Sequence, residues 1–232
     1  MLPVLEVKHN IPEVKRWLAS ADRQVRFAAV KALTQTARDV RLHEQDVMRK
    51  VFDRVTPYAV NALQVKRATT ANPVAKVEYK EYGNPPAKRF LNPEVHGGER
   101  SQRAHERQLA PLMASPWLAP GKGAELDRFG NIPGKTYTRI LSQLKVSGDP
   151  LQNATNSKRS RKSRKASAFF VTANRRMIME RKGGTVKPVL VAVSKPSYPK
   201  RFPFYAEAEA EVARKIVPNF LTEYKKALAT AK

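Results

Sequence analysis

Phe169-Phe170-Val171-Thr172-Ala173-Asn174-Arg175-Arg176-Met177-Ile178-Met179-Glu180-Arg181-Lys182-Gly183-Gly184-Thr185-Val186-Lys187-Pro188-Val189-Leu190-Val191-Ala192-Val193 is the stretch that decides the fold. It holds three apolar runs, at 169–172, 177–181 and 186–193, separated by Asn174-Arg175 and by Lys182-Gly183-Gly184, the chemistry of short hairpin turns. The pattern predicts an antiparallel meander. Immediately before it, Lys158 to Lys165 places six cations in eight residues with no acid among them. Immediately after it, a proline-rich strap at 196–203 leads to a final helix in which Val212, Ile216, Phe220, Tyr224 and Leu228 recur every four residues. Glu207, Glu209 and Glu211 stand at the positive end of that helix and Lys225 and Lys226 at its negative end, and Pro218 should kink or split it.

Further out, Asn10 and Glu13 form a capping box with Pro12 in the first turn of a short helix offering Val14, Trp17 and Leu18. From 21 to 54 there is neither Gly nor Pro, and Val25, Ala28, Ala29, Ala32, Leu33, Val40, Val47, Val51 and Val55 recur at helical spacing. Two readings stand: one rod of roughly 50 Å, or two helices broken near Thr34 and Thr36 by β-branched residues. Thr56-Pro57 opens a short helix through Leu63, and alternation over 75–79 predicts a half-buried strand that exits at Gly83-Asn84-Pro85-Pro86. Prolines and glycines then crowd the chain up to Pro150, leaving helices at 99–109 and 137–145 and an ordered arm around Trp117 and Phe129. The class is α+β, with N-terminal helices, a small, mostly antiparallel sheet interrupted by a long irregular insertion, and a C-terminal helix. Residues 1–82 supply the helices and first strand. Residues 83–156 form the insertion or arm, and residues 157–232 (basic loop, meander and last helix) complete one domain with 1–82.

Charge points to a partner. The chain has 232 residues and a net charge of +24, of which 157–201 contribute +13 through fourteen Lys and Arg against the single acid Glu180. A concentrated field of this kind attracts polyanions and is sensitive to salt. Lys158, Arg159, Arg161, Lys162, Arg164 and Lys165, followed by Arg175 and Arg176 in the next turn, are the candidate phosphate-binding residues. The run is read as a loop projecting from the sheet; the alternatives are a solvated tail or a localisation signal. No aromatic residue interrupts it to stack on unpaired bases.

Catalytic patterns are weak. Gly134-Lys135-Thr136 has the ending of a phosphate-binding P-loop, but Phe129 stands where that motif requires glycine, and a proline-rich turn replaces the preceding strand. His96 and His105, near Glu94, Glu99 and Glu106, make the best metal or acid–base constellation available, whereas His43 and His9 have no evident partner. A nuclease would unite phosphate binding with chemistry, yet two-metal cleavage needs several convergent carboxylates and residues 157–201 offer one. Without cysteine there is no disulfide or thiolate. No apolar run approaches a membrane span, and the N-terminus lacks the pattern of a signal peptide. No catalytic residue, metal or cofactor is expected.

Lys66-Arg67-Ala68-Thr69, Asn72-Pro73 and the strand at 75–79, together with the basic stretch, short strands and closing helix of the last third, resemble the tail-completion proteins of tailed bacteriophages, in particular the minor tail protein Z family of lambda-like phages. The middle, with Leu91 to Arg100 and Leu126 to Asn131, looks like an insertion carried by many phage virion proteins. The resemblance implies a structural neck component in the virion, present in the host cytoplasm during assembly, and built as a ring of six or twelve copies. Such a ring joins head connector and tail proteins around the double-stranded DNA channel, where the basic loop meets phosphates without reading bases. The alternative reading is a nucleic-acid-binding protein of ribonucleoprotein type, which has no reason to be cyclic.

Overall fold

The computed structural model describes residues 23–83 and 85–230. The expected first helix with its Asn10, Pro12 and Glu13 cap and its Val14, Trp17 and Leu18 face, together with His9, lies outside the described residues, as does Asn84. The chain is α+β with small antiparallel sheets, as expected. It divides into two units, one formed by the described residues up to Gly97 and from Pro199 onward, the other by Gly98–Tyr198. That division departs from the expected one. The basic segment and the meander join the middle of the chain and not the N-terminal helices.

In the first unit, α1 (Arg23–Val51) is one unbroken helix of 29 residues, about 43 Å long at 1.5 Å per residue. Of the two readings of this segment, the rod is correct, because the threonines that weaken it are used in tertiary contacts. Thr36 Oγ1 accepts from Asn219 Nδ2 at 3.0 Å, and Thr34 Oγ1 accepts from the Ala68 N–H at 3.1 Å. Its buried alanines, Ala28, Ala29, Ala32 and Ala37, let the last helix, α7 (Phe204–Ala229), lie close alongside. Pro218 does not split α7; it is exposed, so water can satisfy the carbonyl its missing N–H leaves free. Helix α2 (Pro57–Val60) is capped by Thr56, whose Oγ1 accepts from the Ala59 N–H. It ends earlier than its sequence pattern, since β1 (Leu63–Lys66) follows and pairs antiparallel with β2 (Lys76–Tyr79). The strand expected at 75–79 therefore exists, but in a hairpin of its own and not in the meander's sheet. Helix α3 (Lys88–His96), masked in the sequence by Pro93, buries Leu91 and Val95 in the same core as Val40, Met48, Leu63, Val77 and Phe202.

In the second unit, β3 (Gly98–Glu99) pairs with β8 (Ser197–Tyr198) where the chain enters and leaves. Helix α4 (Ala104–Leu109) and a 3₁₀ turn (Ala110–Leu112) lead to β4 (Trp117–Pro120), and α5 (Gly134–Gln143) leads towards the meander β5 (Ala168–Val171), β6 (Met177–Lys182) and β7 (Thr185–Val193). The sheet order is β4-β7-β6-β5, all antiparallel, so the expected meander is present and the middle of the chain adds a fourth strand. Gly183 and Gly184, with φ of 54° and 80°, make the two-residue turn between β6 and β7 that demands left-handed backbone twice. Gly121 is required for a different reason: a Cβ there would stand 2.4 Å from the Pro188 carbonyl oxygen, where the strap after β4 crosses β7. Residues 83–156, read as an arm, instead supply Leu109, Met113, Leu118, Ile132 and Ile140 to one core with Phe169, Ile178, Val189 and Leu190.

Candidate nucleic-acid interface

The six-cation run is a helix and not a loop: α6 (Lys158–Ala166) fills the connection into β5. Lys, Arg and Ala are good helix formers, and no Gly, Pro or β-branched residue interrupts 158–166. Ser157 caps it, with its Oγ accepting from the Ser160 N–H at 3.3 Å, and Thr155 and Ser160 add hydrogen bonds around the same turn. The far end is anchored. Ser167, 3% exposed, donates its hydroxyl to Glu180, while Gln143 of α5 bridges the junction by donating to the Ser167 carbonyl and accepting from the Phe169 N–H, both at 2.9 Å. Between these anchors no residue of α6 is buried.

Helix formation sorts the charges. At 100° per residue, Lys158, Arg161, Lys162 and Lys165 occupy one arc of about 100°, with Arg159 and Arg164 about 60° to either side and Ser160 and Ser163 behind. No acid lies between Asp149 and Glu180, and among the described residues none of the six cations is in an ion pair. Arg164 spends one donor on the Thr155 carbonyl at 3.2 Å. From Lys158 to Lys165 the stripe runs about 10 Å, a length of duplex axis that passes about six phosphates at one per 1.7 Å.

Arg175 and Arg176 are not brought to this stripe. The four-residue strand β5 puts them at its far end, about 13 Å away along the sheet. Arg175, at φ 56°, donates Nε to the Leu112 carbonyl at 2.9 Å and Nη2 to that of Pro111, and its own carbonyl accepts from the Ala114 N–H. Its guanidinium ties a turn to the 3₁₀ segment, away from the α6 stripe. Arg176 is exposed at the same turn. The sheet register places a different cation at the end of the sheet that α6 enters: Arg181 faces Ala168 across the β5–β6 pair and lies over Phe170, 5.2 Å from its centroid. Its signal in the sequence was the hairpin register, which only the exact turn length reveals.

The histidine and carboxylate constellation is dispersed into ion pairs. Glu94 takes Arg201 with two bonds of 2.8 Å, and Glu99 takes Lys195. Glu106, fully buried, accepts from Arg100 through two bonds of 2.6 Å and from the N–H groups of Arg103 and Leu118. Burial acts to raise the Glu106 carboxyl, but these donors hold it below the usual carboxylate range. His105 stacks on Tyr137 with centroids 3.8 Å apart, and burial, with Arg103 beside it, pushes it down to about 4. His96 sits against Tyr205. His43, read as partnerless, meets Glu207 at 2.8 Å. Among the described residues, no group of three or more His, Asp or Glu is placed to hold a metal ion. Gly134-Lys135-Thr136 opens α5 directly after an Asp127-centred turn, and β4 ends well before it at Pro120. No described helix is long and apolar enough to cross a membrane. No protein-family model, curated protein or solved structure matches the chain.

Proposed function

We propose that this chain is a non-catalytic structural protein that grips duplex DNA through the phosphates facing α6, in the neck of a tailed phage. The observation that carries the grip is the stripe of Lys158, Arg161, Lys162 and Lys165, flanked by Arg159 and Arg164, with no acid against it and both helix ends anchored. A row of cations carried on a helix anchored at both ends meets a row of phosphates with less backbone ordering to do than a loop would need. α6 has no Asn or Gln to read adenine and no aromatic to stack on a base, which favours binding without sequence preference. The neck setting, a ring of six or twelve copies between connector and tail proteins, is supported by the sequence resemblance alone.

The test is binding to two unrelated duplexes over a salt series, wild type against a variant with all six cations changed to Gln. With about five phosphates neutralised, the log–log salt slope should lie near roughly −4 to −5 for both duplexes, and two Gln substitutions should reduce its magnitude by about 2. The same duplexes should be recovered intact after incubation with magnesium. Equal binding by the wild type and the six-Gln variant, or cleavage of the DNA, overturns this reading.

A further inference from the structure

The first unit carries a second basic feature, built differently. Phe27, Lys31, Thr34 and Arg38 follow one another along α1 at spacings of four, three and four, so they share one face. Over that face runs a groove of about 530 Å³, with Lys226 and Glu223 of α7 on one side and Arg67 and Ala68, just after β1, on the other. Its second wall is fixed, because the buried Ala68 N–H donates to the buried Thr34 hydroxyl at 3.1 Å. Among the described residues that line it there is one acid, Glu223, and it is already used, accepting from Lys226 at 2.7 Å. Lys31, Arg38 and Arg67 are exposed and make no ion pair among the described residues; Arg38 touches Gln35 at 3.4 Å.

Phe27 distinguishes this groove from α6. It is 44% exposed, with the Lys31 ammonium over one face of its ring, 4.8 Å from the centroid, which leaves the other face for a base. An exposed aromatic beside uncompensated cations is the arrangement that holds unpaired nucleic acid, the ring stacking on a base while the cations meet the adjoining phosphates. The volume is that of a small-ligand cleft and suits one or two nucleotides. A duplex keeps its base faces within its own stack and cannot use Phe27, and an acidic peptide would satisfy the cations but leave the ring without a partner of its kind.

We infer that this groove binds single-stranded nucleic acid, with one base on Phe27 and neighbouring phosphates at Lys31, Arg38 and Arg67. The inference does not rest on the duplex grip of α6, which belongs to the other unit.

The experiment uses the full chain carrying the six Gln substitutions in α6, so that the groove is read alone, with a labelled oligo-dT strand of about 12 nucleotides and a duplex of equal length as probes. Changing Lys31, Arg38 and Arg67 together to Gln should lower strand affinity at least about tenfold and reduce the salt slope by about 2, at roughly 0.7 per phosphate of a single strand. Phe27→Ala should lower strand affinity by about 5- to 100-fold, leave duplex affinity unchanged, and be rescued by Phe27→Trp. Strand binding unaffected by either variant overturns the site. A loss with the triple Gln variant but none with Phe27→Ala overturns the single-strand assignment, since it describes a plain anion surface open to an acidic peptide.

Discussion

Glu44 sits in the middle of α1 with no exposed surface, and neither of its carboxylate oxygens has a hydrogen-bond partner; the Tyr79 hydroxyl is buried and unpartnered as well. Burial, with Glu207 of α7 adding like charge, pushes Glu44 up to about 9 from its ordinary 4.5. Burial also raises Tyr79, with Tyr205 and Glu44 contributing, while His43 holds Glu207 on the solvent side. Because the folded state keeps a proton on Glu44 that the unfolded chain has released, this stability is fully present below about 4.5 and is lost as pH rises towards about 9. His105 works in the opposite sense, since its folded value of about 4 lies below its ordinary 6.5, but only below pH 6.5. Between pH 7 and 9 Glu44 therefore acts alone among these two. Denaturant unfolding should show wild type losing about 2 kcal/mol over that interval, and Glu44→Gln should flatten the loss. Parallel pH dependences for the two proteins would remove Glu44 as the cause.

At the scale of elements, α6 is a helix that opposes itself. Lys158 and Lys162, Arg161 and Lys165, and four further pairs at a spacing of three set like charges side by side, together unfavourable by roughly 1–3 kcal/mol. The Ser157 cap and the clamp at Ser167 offset this, and phosphates would relieve it. Amide hydrogen exchange over the backbone of α6 should slow several-fold when duplex DNA is added, and Ser157→Ala should speed it by about 2- to 30-fold in the free protein, the range a lost cap allows. Exchange indifferent to DNA would mean that α6 is not where the phosphates sit. The same element shows how sequence can mislead: a run of charge looks like solvated coil by composition, whereas its residues are individually good helix formers and its caps are two serines of no distinctive spacing.

At the scale of the whole molecule, apolar side chains remain on the outside of the first unit. Leu42 of α1 and Val217, Leu221 and Leu228 of α7 are each at least half exposed, and the last three share a helical face at spacings of four and seven. A ring interface would cover such a face. Light scattering and negative-stain microscopy should show a closed ring of six or twelve copies, and Val217→Lys with Leu221→Lys should disperse it to monomers without loss of helix content. A wild-type protein that is monomeric at every concentration rules out the neck assembly while leaving both nucleic-acid sites open to their own tests.

Local rules alone determined much of this protein. The Thr56-Pro57 helix start, the glycine turn at Gly183-Gly184, the meander and the presence of a final helix follow from backbone preferences and side-chain periodicity that act within a few residues, whereas α1 stays whole across Thr34 and Thr36 through their contacts with Ala68 and Asn219. The concentration of positive charge was equally plain in composition. Which strands share a sheet was not, because β4 reaches β7, and β2 turns back to β1, through register and burial that no local window contains. The partition into units, the recruitment of the proline-rich middle into a core, the diversion of Arg175 to two carbonyls and the groove beside Phe27 were likewise decided by contacts between residues far apart in the chain. A sequence states which side chains can bury, pair or bind; only the tertiary packing settles which partners they meet, since each such contact is chosen in competition with all the others.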